Sequence, residues 1–205
     1  MHQELALSKP QTPEEYREVI ETCQRATTRM NALVDSLLTL ARLDTDDSPV
    51  LKQRIDVGEI VRDCVEQVGP LADAKGIRIQ LPVESSVCVH GNRDQLAQVI
   101  TNVLMNAIAY SPPDSRVSVL VDRQDSEVVV CVSDTGDGIP AADLPHVFER
   151  FYRVDKQRTR NSGGSGLGLS ICQQIMTAHG GRIAVESVLG DGSTFRLTFP
   201  AASLT

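Results

Sequence analysis

Gln98-Val-Ile-Thr-Asn102-Val-Leu-Met-Asn106-Ala-Ile-Ala-Tyr110 is apolar at nearly every position, so a helix built from it has to be buried on most of its faces. A capping-box spacing from Asn92 to Gln95 starts that helix, which runs to about Tyr110. Two asparagines interrupt it. Asn102 and Asn106 stand at i and i+4 on one face. A buried amide left without a partner costs about 1 to 3 kcal/mol, so something polar has to meet them. Two readings fit equally: an amide oxygen acting as a hard ligand that joins phosphate oxygens around Mg²⁺, or two amides bonding to neighbouring loops.

Downstream, Val128-Val-Val-Cys-Val-Ser133-Asp134-Thr-Gly136-Asp137-Gly138-Ile139-Pro140 delivers an acid at the end of a strand and follows it with glycines. Glycine lets backbone approach a flat ligand closely. The Asp134 carboxylate is suited to accept a hydrogen bond from the exocyclic amine of adenine, a contact that guanine cannot return. An Asx turn is the plain alternative. Asp-Thr-Gly also marks aspartic proteases, but their chemistry needs a second carboxylate sharing the site, and the sequence holds no second such triplet.

Arg150, Arg153, Lys156, Arg158 and Arg160 then crowd eleven residues, directly before Asn161-Ser-Gly163-Gly164-Ser-Gly166-Leu167-Gly168-Leu-Ser170. A basic, glycine-rich loop running into a helix offers an anion free N–H groups and the positive end of the helix dipole. No Gly-Lys-Ser/Thr occurs, and the glycine spacing is not Gly-x-Gly-x-x-Gly after a strand, so Walker and Rossmann readings fail. A solvated basic linker is the bland reading.

Around these segments, helices are expected at residues 57 to 75 and 166 to 179, and strands at 77 to 81, 87 to 90, 117 to 121 and 128 to 132. Two final strands, at 182 to 187 and 194 to 199, are joined by the hairpin chemistry of Leu189-Gly-Asp-Gly-Ser193. Strands in runs with few helices predict an α+β sandwich rather than a doubly wound sheet.

At the other end, residues 12 to 43 read as one long helix, opened by Thr12-Pro13-Glu14-Glu15 with its N-cap, N1 proline and capping glutamate. Tyr16, Ile20, Cys23, Thr27, Met30, Val34, Leu37 and Ala41 follow steps of four and three, the spacing of a coiled seam. Val19, Ala26, Leu33, Leu38 and Leu40 add a second line. The stripe is too wide for a lone surface helix and predicts a bundle completed by another chain or a further helix. Asp44-Thr-Asp-Asp-Ser-Pro49 breaks the pattern and marks a linker, dividing a stem at 1–48 from a domain at 49–205.

Composition is that of an ordinary globular protein: 205 residues, 41% hydrophobic and 23% charged. A net charge of −7 argues against a broad nucleic-acid surface, so any phosphate site has to be local. The five cysteines are far apart with no Cys-x-x-Cys pair, which favours reduced, buried residues. No apolar run reaches the roughly 18 to 20 residues needed to span a bilayer, and the opening residues form no signal peptide, so a cytoplasmic chain is expected.

Taken in order, these motifs resemble those of sensor histidine kinases of bacterial two-component systems. Asn102-x-x-x-Asn106 resembles the N box, Asp134-x-Gly136-x-Gly138 the first glycine box, Phe148-Glu-Arg-Phe151 the F box, and Gly164-Ser-Gly166-Leu167-Gly168-Leu the second glycine box. Gly192-Ser-Thr194-Phe195 looks like the closing element, where the family places a Thr near the adenine-binding Asp. The resemblance implies a two-layer α/β sandwich of the Bergerat type, preceded by a stem helix, with ATP and Mg²⁺ as ligands and a flexible lid between the F box and the second glycine box. By position it makes Asn106 the Mg²⁺ ligand, sets Tyr110 against adenine, and gives Asp134 the amine. Arg153 and Arg158 are implied to contact phosphate from the lid, while Asn102, Gly136, Gly138, Ile139, Gly164, Gly166, Leu167, Gly168 and Thr194 complete the nucleotide-binding set.

The same resemblance implies phosphoryl transfer to a stem histidine, then to the receiver domain of a response regulator, and a homodimer through the stem helix. Hydrolytic relatives carry a Glu where this chain has Asn102, and an amide cannot serve as a general base, so ATP is expected to be held without rapid hydrolysis. Two departures stand out. Ala109 occupies a place where many members carry Lys or Arg, which throws charge compensation onto Mg²⁺ and the lid, so Arg158→Ala is expected to weaken ATP binding. None of His2, His90, His146 and His179 sits in a His-Glu/Asp-Leu-Arg-Thr-Pro context, so the acceptor is expected upstream, in a longer membrane-anchored receptor, and the chain alone is expected not to autophosphorylate. A Bergerat ATP hydrolase and a nucleotide-binding module without kinase activity remain the alternatives.

Overall fold

Two periodicities divide the chain, steps of three and four that make helices and alternation by two that makes strands. The computed structural model describes residues 12–45, 53–82, 87–154 and 165–202. In chain order these form α1 (Pro13–Thr45), β1 (Gln53–Asp56), α2 (Val57–Ala74), β2 (Arg78–Gln80), β3 (Cys88–Gly91), α3 (Arg93–Tyr110), β4 (Arg116–Gln124), β5 (Glu127–Asp134), a short 3-10 turn (Leu144–His146), α4 (Gly168–Ala178), β6 (Arg182–Val188) and β7 (Gly192–Pro200).

Five strands lie in the order β2-β4-β5-β7-β6, with β2 parallel to β4 and every other pair antiparallel. Val117, Val119 and Val121 of β4 share one buried face with Val128, Val130 and Val132 of β5 and with Phe195, Leu197 and Phe199 of β7. Helices α2, α3 and α4 bury Ile60, Val61, Leu96, Ile100, Leu104, Ile171 and Ile175 in the same core. The result is the expected α+β sandwich, a five-stranded sheet under one layer of helices, with β1 and β3 forming a separate two-stranded sheet. Asp134 closes β5 as the fourth inward position after Val128, Val130 and Val132, which puts a carboxylate at the margin of the core.

Strand β1 was not legible in the sequence. Gln53–Asp56 buries only Ile55, too little for an alternation signal, and exists because it pairs antiparallel with β3. Asp56 then turns the chain into α2, accepting from the N–H groups of Gly58 (2.8 Å) and Glu59 (3.3 Å). Asp44 and Thr45, read as the start of the linker, still belong to α1, while residues 46–52, with the division at 48/49, lie outside the described residues.

Both expected capping boxes can be checked. At α1 the box is complete: Glu15 N–H donates to Thr12 Oγ1 (3.3 Å) and Thr12 N–H to Glu15 Oε2 (2.8 Å). At α3 only half forms, with Gln95 N–H on Asn92 Oδ1 at 3.1 Å. The Asn92 N–H goes to His179 Nε2 instead (3.0 Å), and Gln95 Oε1 is buried without a hydrogen bond. A histidine from the far end of α4 thus does what the sequence assigned to a neighbour.

Helix α1 lies beside α4, and along it Tyr16, Ile20, Met30, Val34 and Leu38 are exposed. The side chains of Leu33, Leu37, Leu40 and Ala41 are outside the described ones. No described helix is long and apolar enough to cross a membrane.

Candidate nucleotide site

The C-terminal end of α3 and the loop after β5 are built against each other. Tyr110 C=O accepts the Asp137 N–H at 3.2 Å, and a Cβ on Gly136 would come within 2.5 Å of the same oxygen. Only glycine permits that approach. Gly138, at φ +68°, turns the loop against the Val188 carbonyl, Ile139 N–H donates to Ser187 Oγ (2.8 Å), and Gly190 N–H donates to Asp137 O (2.9 Å). The glycine loop is therefore clamped between a helix end and the β6–β7 turn.

Asp134 lies at the base of this clamp. Its Oδ1 accepts two backbone N–H groups, from Gly136 at 2.8 Å and from Ser193 at 3.3 Å. Burial pushes its carboxyl above the ordinary range, and these two hydrogen bonds pull back in the other direction. Both bonds use Oδ1, so the second carboxylate oxygen is the one that remains for a ligand's donor.

Strand register settles which closing hydroxyl accompanies Asp134. Asp134 pairs with Ser193 and Ser133 with Thr194, so Ser193 and Thr194 lie on opposite faces of the sheet. Thr194 Oγ1 bonds to Ser133 Oγ (2.9 Å), away from Asp134. Ser193, which the motif reading passed over in favour of Thr194, stands beside the carboxylate, and its hydroxyl meets Ser187 Oγ at 3.0 Å. Ser187 was missed as well. No local pattern marks it, since its role comes from bonding Ile139 N–H, Ser193 Oγ and Gly192 O (2.7 Å) at once.

The two asparagines of α3 part company. Asn102 is half-buried against α4: its amide lies 3.8 to 3.9 Å from where a Cβ on Gly168 would be, and it hydrogen-bonds the Cys172 thiol, which burial pushes up to about 12. The Asn106 amide, one turn later and also half-buried, has no partner among the described residues. Tyr110 is 49% exposed, which leaves its ring accessible.

Leu167 is wholly buried and provides no side-chain cap, so the first N–H groups of α4, beginning at Gly168, are left for an anion. Gly166, at φ +73°, fits tightly under Phe151, whose N–H donates to Gly166 O (2.9 Å). Arg153 is half-buried just beyond Phe151. Arg158 and Gly164 lie outside the described residues.

Along α3, Asn102 to Tyr110 spans about 12 Å at 1.5 Å per residue. The glycine loop meets one end of that span and the start of α4 meets the other. Among the described residues no group of three His, Cys, Asp or Glu side chains is placed to hold a metal.

Residues 91–203, more than half of the chain, match the family described as histidine kinase-, DNA gyrase B- and HSP90-like ATPase. The chain belongs to this ATPase family. Within it, the chain is 35% identical over 191 residues to the sensor histidine kinase RppB of Synechocystis sp., covering 93% of this chain and 42% of that protein. The sheet-and-helix arrangement is also that of a mycobacterial sensor histidine kinase, MprB (TM-score 0.65, 29% identity, 75% of this chain and 99% of that one). Full-length ShkA, solved in complex with AMPPNP, superposes with a TM-score of 0.77 at 26% identity, covering 96% of this chain and 41% of that one. The chain thus carries the ATP-binding catalytic domain of sensor histidine kinases, and spans less than half the length of RppB.

Proposed function

We propose that this domain binds ATP with Mg²⁺ along α3 and, within a longer protein, passes the γ-phosphoryl group to a stem histidine and onward to a response-regulator aspartate. The observation that carries the proposal is the 12 Å face of α3 noted above, about the reach of an extended nucleotide. One end offers a carboxylate and an aromatic ring, the middle the Asn106 amide, which has no partner among the described residues, and the other end a helix N-terminus.

Each residue then has a definite part. Asp134 accepts the exocyclic amine, Tyr110 covers the purine, and Gly136 and Gly138 let the loop backbone lie close to it. The Asn106 amide oxygen is the protein's ligand to the cation. Bound Mg²⁺ offsets the phosphate charge. The first N–H groups of α4 face the phosphates, and Arg153 and Arg158 add positive charge beside them. Asn102, beside the start of α4, is an amide and takes no proton from water, which favours transfer over hydrolysis. The exposed seam of α1 supports pairing with a second copy through the stem, and the AMPPNP held by ShkA supports an adenine nucleotide here.

Labelled ATP tests this reading. A longer form of the protein that includes the upstream stem should gain acid-labile phosphate on histidine, whereas the present chain should bind ATP without labelling itself or releasing phosphate rapidly. Fast phosphate release by the present chain would favour a hydrolase, and stable labelling of His2 would place the acceptor elsewhere than proposed.

A further inference from the structure

We infer that Lys75 is a positioning residue for the purine end of the nucleotide site, acting through the last turn of α3. The inference rests on the nucleotide reading above and adds a residue that no motif contains. Lys75 caps α2, its own N–H donating to Ala72 O at 3.0 Å. Its side chain crosses to the neighbouring helix, where Nζ donates to Ile108 O (2.8 Å) and Ala109 O (2.9 Å). Its carbonyl accepts the Asp114 N–H at 3.2 Å, on the segment that leaves α3. One residue therefore grips the exit of α3 from both sides.

The last carbonyls of a helix have no partners within it and carry the negative end of its dipole. Here the carbonyls of residues 108 and 109 are taken by Lys75, and that of residue 110 by the Asp137 N–H of the glycine loop. Ala109 brings no charge of its own. The Lys75 ammonium is thus the group that neutralises this helix end, beside a site meant for a polyanion, and that sets where Tyr110 stands relative to Gly136. Loss of the ammonium frees the turn that carries Tyr110 and restores a negative helix end.

Arg93 supplies a control. It ties α3 to α2 at the opposite end, through Asp63 (2.6 Å) and Glu59 (3.8 Å), and is no part of the site. Titration with a fluorescent ATP analogue and Mg²⁺, with a thermal melt of each protein, compares wild type with Lys75→Met, Lys75→Gln, Lys75→Arg and Arg93→Gln. Lys75→Met should weaken binding about fivefold or more, Lys75→Gln should weaken it less, and Lys75→Arg should restore most of it. Arg93→Gln should lower the melting temperature yet leave Kd within about twofold. Equal Kd for wild type and both neutral variants, or equal weakening by Arg93→Gln, would overturn the assignment of Lys75 while leaving the site intact. Absence of binding by the wild type would instead remove the nucleotide reading and this inference with it.

Discussion

Ser193 donates its backbone N–H to Asp134 Oδ1 at 3.3 Å across the β5–β7 ladder, whereas Thr194, one residue on, bonds Ser133 on the opposite face of the sheet. The hydroxyl on the same face of the sheet as the Asp134 carboxylate is therefore that of Ser193. Ser193→Ala is expected to weaken adenine-nucleotide binding severalfold, about 1 kcal/mol, and Thr194→Ala to leave it within about twofold. Equilibrium titration of the two variants side by side checks this.

Asp134 sets function against stability. Burial raises its carboxyl above the unfolded value, so the stability linked to this group is complete at low pH and is lost as pH rises through the folded-state value. Above that value the ionised carboxylate is a cost to stability. Asp134→Asn should accordingly keep or raise the melting temperature at pH 7 while losing about tenfold or more in nucleotide affinity. A parallel fall in both quantities would show that the carboxylate is structural.

Glycine is needed at position 138 for two reasons and at position 190 for one. Both have positive φ, +68° and +91°, but a Cβ at 138 would strike the Val188 carbonyl whereas one at 190 meets nothing within 4 Å. Gly190→Ala should cost only the left-handed backbone penalty, about 1 to 2 kcal/mol. Gly138→Ala should cost more and should also displace the loop that faces the nucleotide. Urea unfolding separates the two.

His179 is 3% exposed and joins two helices. Its Nε2 accepts the Asn92 N–H at 3.0 Å and its Nδ1 donates to Ile175 O at 2.8 Å, which ties the end of α4 to the start of α3. His179→Ala leaves the Asn92 N–H buried and unmatched, and should cost about 1 to 3 kcal/mol in urea unfolding. Nucleotide affinity, measured where the variant is folded, should stay close to wild type because the site lies at the other end of α3.

Local chemistry made the long elements legible. Capping residues and apolar spacing predicted α1, α2, α3 and α4 within a few residues, and the alternating valines predicted β4 and β5. What escaped depends on partners distant in sequence. β1 has one buried apolar residue and is a strand only through β3, and the choice of Ser193 over Thr194 follows from the register of two strands about sixty residues apart. Asn102 and Asn106 are the same residue type one turn apart, and only the position of α4 shows that the first is engaged while the second has no partner among the described residues. Lys75 belongs to no site motif, and its role comes from where α2 ends relative to α3.

The most direct test of the account is calorimetric titration of ATP into the chain with and without Mg²⁺, with GTP as competitor and Asn106→Ala as the comparison. One ATP per chain should bind, more tightly with Mg²⁺, with little competition from GTP, and Asn106→Ala should lose the gain from Mg²⁺ while keeping the metal-free affinity. Equal binding of GTP, or a Mg²⁺ effect unchanged in Asn106→Ala, would contradict a single cleft in which Asp134 reads the purine and Asn106 holds the cation.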